Sequence, residues 1–457
     1  MIVDKLKKQF RESSDLIVKN INNVTIIFLE SLCDSNKLNE FIFKNLRTKK
    51  FFNLRDMITA PNVVYVDSYD KLEFYLNNGF AVVMDKKDII VCEVKGNLYR
   101  TITMPTTEPS INGPKDSFNE SILTNLGLIK RRIKSDKLVN EDMFIGRKTL
   151  TKVSVLYLDD IADKSIVSEI TNKLSDIDID GIIDIEVLMQ KLDDRKFPMP
   201  TIMKSERPDK VANSLLEGKI VIIADNSSYA LILQVFFSDF VNPESDNYVK
   251  STNINILKVI RFMCLLITIT LPALYISIIN YNPQSIPLNL LLSFQSGRSG
   301  VPFPSSFEAI FMIFLCAILR ESDIRFPSNY GSSISILGAL ILGEAAVSAS
   351  IASPIMIIII GITFVTGLIF SSGEIIDGLR FFRLFILVMA IFFGLYGLVI
   401  GGFIILVHLC SVNTFGKPYL FPVAPMDRTY LFKTLLKDSK DNKRSNILSD
   451  NRNRGNV

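Results

Sequence analysis

The chain has a single histidine, His408, and it closes the last apolar run. Alone it cannot supply a multi-histidine metal site, and no nucleophile and base stand beside it to form a Ser/His/Asp arrangement. Lysine is absent between Lys258 and Lys417, a window that holds six arginines and long apolar runs. The five cysteines (Cys33, Cys92, Cys264, Cys316, Cys410) form no CxxC pair, which points to buried reduced thiols rather than a disulfide or metal framework. Neither GxxxxGK[ST] nor GxGxxG occurs, so no glycine-rich phosphate loop is expected. The acidic pairs Asp159–Asp160 and Asp193–Asp194 are adjacent, which makes their side chains diverge. No catalytic constellation, metal site or cofactor site is read, and the chain is not expected to be an enzyme. Lys5, Lys7, Lys8 and Arg11 precede no apolar core of a signal peptide, so the N-terminal part is expected in the cytoplasm. A net charge of +4 over 457 residues is too small to argue for nucleic acid.

What is present is an ordinary charged half followed by an apolar one. Residues 1–250 carry short β-branched runs at 24–30, 62–68, 80–85, 88–94, 152–160 and 218–227, bounded by Asn, Asp, Gly or Lys, which read as strands. Helical patterns fall between them at 117–133, 164–175, 184–194 and 209–217, and the alternation indicates an α/β region. The Pro-, Gly- and Thr-rich stretch 104–117 reads as a linker. The expected organisation is an α/β subdomain over 1–110, a second over 111–250, a transmembrane domain over 251–411 and a basic cytoplasmic tail over 412–457.

Four runs are long enough to span a bilayer: 262–279 with Pro272 inside, 333–350 and 354–371 as a hairpin with Ser353 as cap and Pro354 in the first turn, and 384–410. The tail carries nine Lys/Arg against four Asp, and Lys250, Lys258 and Arg261 precede the first span, so both ends are expected inside. That parity leaves "PFPSSFEAIFMIFLCAILRESDIRFP" (302–327) as a short re-entrant or interfacial helix on the outer face. Only eleven uncharged residues separate its Glu308 from Arg320. Glu308, Arg320, Glu321 and Arg325 are expected to face water or a neighbouring subunit. The fold class is thus an α/β cytoplasmic region followed by an all-α membrane domain of about four spanning helices.

In the hairpin, Ser335, Ala339, Gly343, Ala346 and Ser350 lie near one helix face, and Gly338, Ala345 and Ala349 near another. Two small faces suit close helix packing, or a helix lining a narrow pore in an oligomer. Glu344 sits among them, and a carboxylate in a bilayer costs about 3 kcal/mol on insertion scales, so it is expected to face a cavity, a partner or an ion path. Ser335, Gly338, Ala339, Gly343, Glu344 and Ser348 are the pore-lining or gating candidates. "SERPDK" (205–210) opens a helix at Pro208, with Glu206 and Arg207 expected to pair as a structural or interdomain contact. "LIKRRIKS" (128–135), with Arg131 at its centre, reads as a solvated basic face or one that touches anionic lipid or a second subunit.

Taken together, "EPSINGPKDSFNESILTNLGLIKRRIKS" (108–135), "SERPDKVANSLLEGKIVIIADNSSYALIL" (205–233), "IPLNLLLSFQSGRSGVPFPSSFEA" (286–309), "LRESDIRFP" (319–327), "GALILGEAAVSASIASPIMIIII" (338–360) and "FGKPYLFPVAP" (415–425) resemble the GerA family of spore germination proteins. The resemblance implies the A subunit of a germinant receptor in the spore inner membrane. It implies a homo-oligomer forming a nutrient-gated cation channel, in contact with membrane lipid, with a B-type transporter-like membrane subunit and a C-type lipoprotein as partners. An accessory relative of the SpoVAF type, or a non-conducting scaffold that docks those partners, is the alternative. The chain departs from the family's usual patterns at Asn112-Gly113-Pro114-Lys115, at Ser322-Asp323 and at Glu344, where glutamine is common.

Overall fold

The structure, a computed structural model, describes residues 2–431 except 11–12, 22–23, 49–53, 55–57, 67–70, 86–87, 97–104, 106, 109–112, 194–197, 244–245, 247, 249–250, 326–340, 371–372 and 429–430. Two antiparallel sheets occupy the first half. The first has strand order β1-β2-β4-β5-β3, built from Leu16–Ile21, Val24–Leu29, Val63–Tyr65, Phe80–Met84 and Ile89–Glu93 numbered along the chain. Its central strands alternate sides, as extended chain must. Ile26, Phe28, Ala81, Val83, Ile90 and Cys92 face the helices at Ser35–Leu38 (α2) and Lys44–Thr48 (α3). Ile27, Leu29, Val82 and Val91 face Ile2–Gln9 (α1) and Leu72–Leu76 (α4).

The second sheet has order β6-β7-β9-β10-β8, from Leu138–Ile145, Thr151–Leu158, Met203–Ser205, Val221–Ala224 and Ala230–Ile232. One face is covered by Ile122–Arg132 (α5) and Pro208–Leu216 (α8), the other by Lys164–Ser175 (α6) and Ile185–Leu192 (α7). Asp163 and Asp184 cap α6 and α7 by accepting from the first backbone N–H groups. Every strand pairing in both sheets is antiparallel.

After the short α9 (Phe237–Val241) the chain becomes helical: α10 Ser251–Tyr281, α11 Leu288–Arg298, α12 Ser305–Arg325, α13 over 341–348, α14 Pro354–Gly367 and α15 Gly373–Ser411. Two of these, α10 and α15, are long and apolar enough to cross a membrane. The expected four spans are therefore not all present as such. Helix α14 has 14 residues, about 21 Å, short of a bilayer core of roughly 30 Å. Of the run expected over 333–350, residues 333–340 lie outside the described residues.

Helix α15 is a hairpin rather than one tilted span. Gly394 has φ 60° and ψ −139° in the middle of it, a backbone state that only glycine adopts without strain. A Cβ on Gly397 would stand 2.0 Å from the carbonyl oxygen of Met389, and one on Gly401 3.5 Å from the Met389 side chain. In a straight helix Met389 and Gly401 would be about 18 Å apart. The arms 373–393 and 395–411 thus run antiparallel and meet through glycine. The tip lies over the end of α10, where the Tyr281 hydroxyl donates to the Ile391 carbonyl at 2.5 Å. The base of the hairpin is at the α/β region, where Gly378 meets Pro198 and Met199. Past its second arm, Tyr419 accepts from the Phe237 backbone N–H at 3.0 Å, and Phe415 enters the core beneath α6.

The stretch expected as a short re-entrant helix is α12, and it runs along the bundle instead. It starts at the far end, where Ser305 donates to Asn280 at 2.6 Å. It runs toward the base of α15, its residues from Ile310 to Arg320 sharing a cavity with Leu379, Arg380 and Arg383. Its 21 residues extend about 31 Å. Of the charges that suggested a short helix, Glu308 is taken up by other helices and Arg320 lines that cavity.

Candidate functional site: a buried carboxylate and an exposed one

Glu308 lies in the first turn of α12 and is 0% exposed. Burial of an ionised carboxylate costs several kcal/mol unless its oxygens are bonded. Here the Ser353 backbone N–H and hydroxyl donate to Oε2 at 3.0 and 2.9 Å. Arg298 Nη2 donates to Oε1 at 3.1 Å. Ser353 is also the expected cap of α14, its Oγ accepting from Met356 N, with Pro354 at the first position. One carboxylate therefore ties the end of α11, the start of α12 and the start of α14. The expectation that Glu308 faces water or a neighbouring subunit is overturned, because its partners are supplied by the chain itself. Two further threonines join the bundle lower down, Thr268 Oγ1 to Thr366 Oγ1 at 2.9 Å.

Arg320 is twelve residues from Glu308, about 18 Å along the same helix, and lines a cavity with Arg380 and Arg383. Glu321 is exposed, and Arg325 closes α12 with its side chain outside the described set. The expected charged tip is thus divided between two environments.

Glu344 is the contrasting carboxylate. On α13 it is exposed, as are Ala345 and Ser348, while Ala346 is buried. A Cβ added at Gly343 would meet nothing within 4 Å. Glu344 and Ser348 are thus exposed on α13 beside a glycine with open space at its Cβ position. Ser335, Gly338 and Ala339 lie outside those residues.

In the α/β region, Glu206 and Arg207 do not pair with each other. Glu206 accepts from Thr107 N, Thr107 Oγ1 and Glu108 N at 2.6–2.9 Å. Arg207 donates in a fork to Asp209 at 3.1 and 2.7 Å. Both fall in the turn between β8 and α8, and the adjacent side chains reach different partners. Tyr248 also donates to Asp209 at 3.0 Å. Burial alone would raise the Asp209 carboxyl, but the Arg207 guanidinium outweighs it and holds Asp209 below the usual range. Pro208 occupies the first turn of α8, as expected.

The basic run 128–135 is not a free surface. Lys130 is buried, and its Nζ donates to Asp15 at 2.5 Å. Asp15 also accepts from Ser31 N and Oγ at 2.9 and 2.7 Å. Desolvation would raise the Asp15 carboxyl; the Lys130 charge and these bonds reverse that and lower it. Arg132 reaches Asp116 at 2.6 Å, and Lys134, beyond the helix end, donates to Asn78 at 2.6 Å. Arg131 lines a small cleft beside Asn77 and Gly96. The run is the joint between the two sheets. Its partners are over fifty residues distant in sequence for Lys134 and Lys130, and no local pattern marks them.

Sequence reasoning did not find Arg298, Arg380, Arg383 or Gly394. The three arginines carried a signal: they are half of the six basic residues in the lysine-free window.

Comparison with known proteins agrees with the resemblance. The family model for the Bacillus/Clostridium GerA spore germination protein matches residues 4–446. Spore germination protein KA of Bacillus subtilis (strain 168) is 32% identical over 437 residues, which is 92% of this chain and 80% of that protein. The uncharacterized membrane protein YfkQ of the same organism is 32% identical over 379 residues, 82% of this chain and 74% of that one. The crystal structure of the N-terminal domain of the A subunit of the Bacillus megaterium spore germinant receptor GerK3 is similar at a TM-score of 0.39 and 28% identity, covering 51% of this chain and 94% of that one. The chain therefore belongs to the Bacillus/Clostridium GerA family of spore germination proteins.

Proposed function

We propose that the chain is a membrane subunit of a spore germinant receptor, and that copies of it assemble around α13 into a nutrient-gated cation channel. The receptor sits in the spore inner membrane, with a B-type transporter-like subunit and a C-type lipoprotein as partners. The α/β region, as subdomains divided near residue 110, and both termini lie on the cytoplasmic side. In this reading α10, α12, α13, α14 and the two arms of α15 run alternately away from and back to the α/β region. Six such runs keep both ends together, as the basic tail requires.

The observation that carries the proposal is the bare face of α13, where Glu344 and Ser348 are exposed beside a glycine with open space over it. A carboxylate on a lipid-facing helix is costly. A second copy of α13 and a shared aqueous axis relieve that cost, and the carboxylate ring then favours cations. Purified protein reconstituted into vesicles with its receptor partners tests this. Nutrient-dependent potassium efflux is expected, reduced at least severalfold by Glu344→Gln with assembly intact. Assembled receptor that releases no cation with wild-type protein favours the scaffold reading and refutes the channel.

A further inference from the structure

At the end of the bundle nearest the α/β region, α10, α12, α14 and the first arm of α15 leave a cavity of about 350 Å³. Its walls are mostly apolar, with Ile313, Ala317, Phe364 and Leu368 among them, and three arginines line it: Arg320, Arg380 and Arg383. No carboxylate is among its lining residues within the described set. Arg380 uses Nη1 for Asp377 at 3.1 Å, a partner on its own helix whose side chain is 67% exposed. Its Nη2 is buried and makes no hydrogen bond among the described residues, and the same holds for Arg383 Nε. A guanidinium does not deprotonate in proteins, so it cannot shed its charge to escape burial. Left so, these buried donors have lost water without a protein acceptor in exchange.

We infer that this cavity binds one anionic phospholipid, its phosphate held by Arg380 and Arg383 and its acyl chains laid along the Ile313–Ala317 wall. The chemistry is that of an anion joined to an apolar body, because the cationic and apolar walls are parts of one space. At about 350 Å³ the cavity takes the headgroup and the first part of the acyl chains, the rest of the lipid lying outside it. Its level suits it as well: Arg380 is two residues from Gly378, which touches Met199 and Pro198 of the α/β region. That is the headgroup level of the leaflet on the α/β side, where basic pockets between helices meet anionic lipid. The site goes beyond the channel reading and stands whether or not α13 lines a pore.

Native mass spectrometry of the full-length chain in a neutral detergent tests the inference, with dioleoyl phosphatidylglycerol, dioleoyl phosphatidylcholine and inorganic phosphate as separate probes. One phosphatidylglycerol is expected per chain, held at least tenfold tighter than phosphatidylcholine. Arg383→Gln is expected to weaken it at least tenfold. Ala317→Phe, which fills the apolar wall and leaves the arginines untouched, is expected to weaken it similarly, and it carries the test if the arginine variant does not fold. Equal retention of the two lipids, wild-type retention by both variants, or no retained lipid overturns the proposal. Inorganic phosphate that displaces phosphatidylglycerol at equal concentration assigns the site to a free anion and also overturns it.

Discussion

Removing the Glu308 carboxylate tests whether the helical part is organised around it. In Glu308→Ala, the Ser353 N–H and hydroxyl lose their acceptor in a place with no water access, since both residues are 0% exposed. An orphaned buried donor costs about 1–3 kcal/mol. Arg298 loses its counter-charge too, but its side chain is 22% exposed, so part of that loss is recovered by solvent. The sum, with the small void left behind, is about 3–5 kcal/mol. Glu308→Gln keeps the shape and an acceptor for Ser353 but turns an amide toward Arg298, and is expected to cost about 2 kcal/mol. Arg298→Met alone strands the carboxylate, so the double variant with Glu308→Ala is expected to be less destabilised than the sum by about 1–2 kcal/mol. Unfolding in one detergent, followed by circular dichroism for wild type and the four variants, gives all the terms. A Glu308→Ala chain within about 0.5 kcal/mol of wild type refutes the reasoning, as does strict additivity.

Two other predictions concern the hairpin and the sheets. A methyl group on Gly397 has no room beside the Met389 carbonyl, so Gly397→Ala is expected to lose about 2–4 kcal/mol, and a Met389→Cys/Gly401→Cys chain is expected to close a disulfide within one molecule; a chain that forms none places the arms apart. The depressed Asp15 carboxyl gives stability that is complete above the ordinary carboxylate pKa of about 4 and is lost as pH falls below it, toward the lower folded value. Lys130→Met is expected to destabilise the α/β region by about 3–5 kcal/mol at neutral pH and to remove that acid dependence; a pH–stability curve unchanged by the substitution contradicts the pairing.

The sequence reveals elements whose determinants are local. Helix α6 is found at its full extent, 164–175, because Asp163 caps it and Ile166, Ile170 and Leu174 recur on one face. Strands β2, β4, β5 and β7 are legible as β-branched runs buried on both sides. The edge strands β1 and β6 are not, since "LIVKNI" and "LVNEDMFI" carry the polar residues that half-exposed edges tolerate. The hairpin of α15 is hidden because Gly394 sits in uniformly apolar sequence with Gly397, Gly401 and Gly402 close by, and hydropathy does not record φ. Glu308 and Lys130 were misplaced for another reason. A charge reads as exposed until its partner is known, and Ser353 and Asp15 lie 45 and 115 residues away. Glu344 stands out in the sequence by its cost in a bilayer, and the single chain leaves it exposed.

Inter-copy cross-linking at α13 tests the central claim most directly. With Cys410 and the other native cysteines replaced, a lone Ser348→Cys in the assembled receptor is expected to give covalent dimers on mild oxidation, since the proposed assembly sets copies of α13 face to face across an axis. A cysteine at Tyr396, exposed on the second arm of α15, is expected to give none. Ser348→Cys chains that stay monomeric, in receptor shown to be assembled, contradict the account.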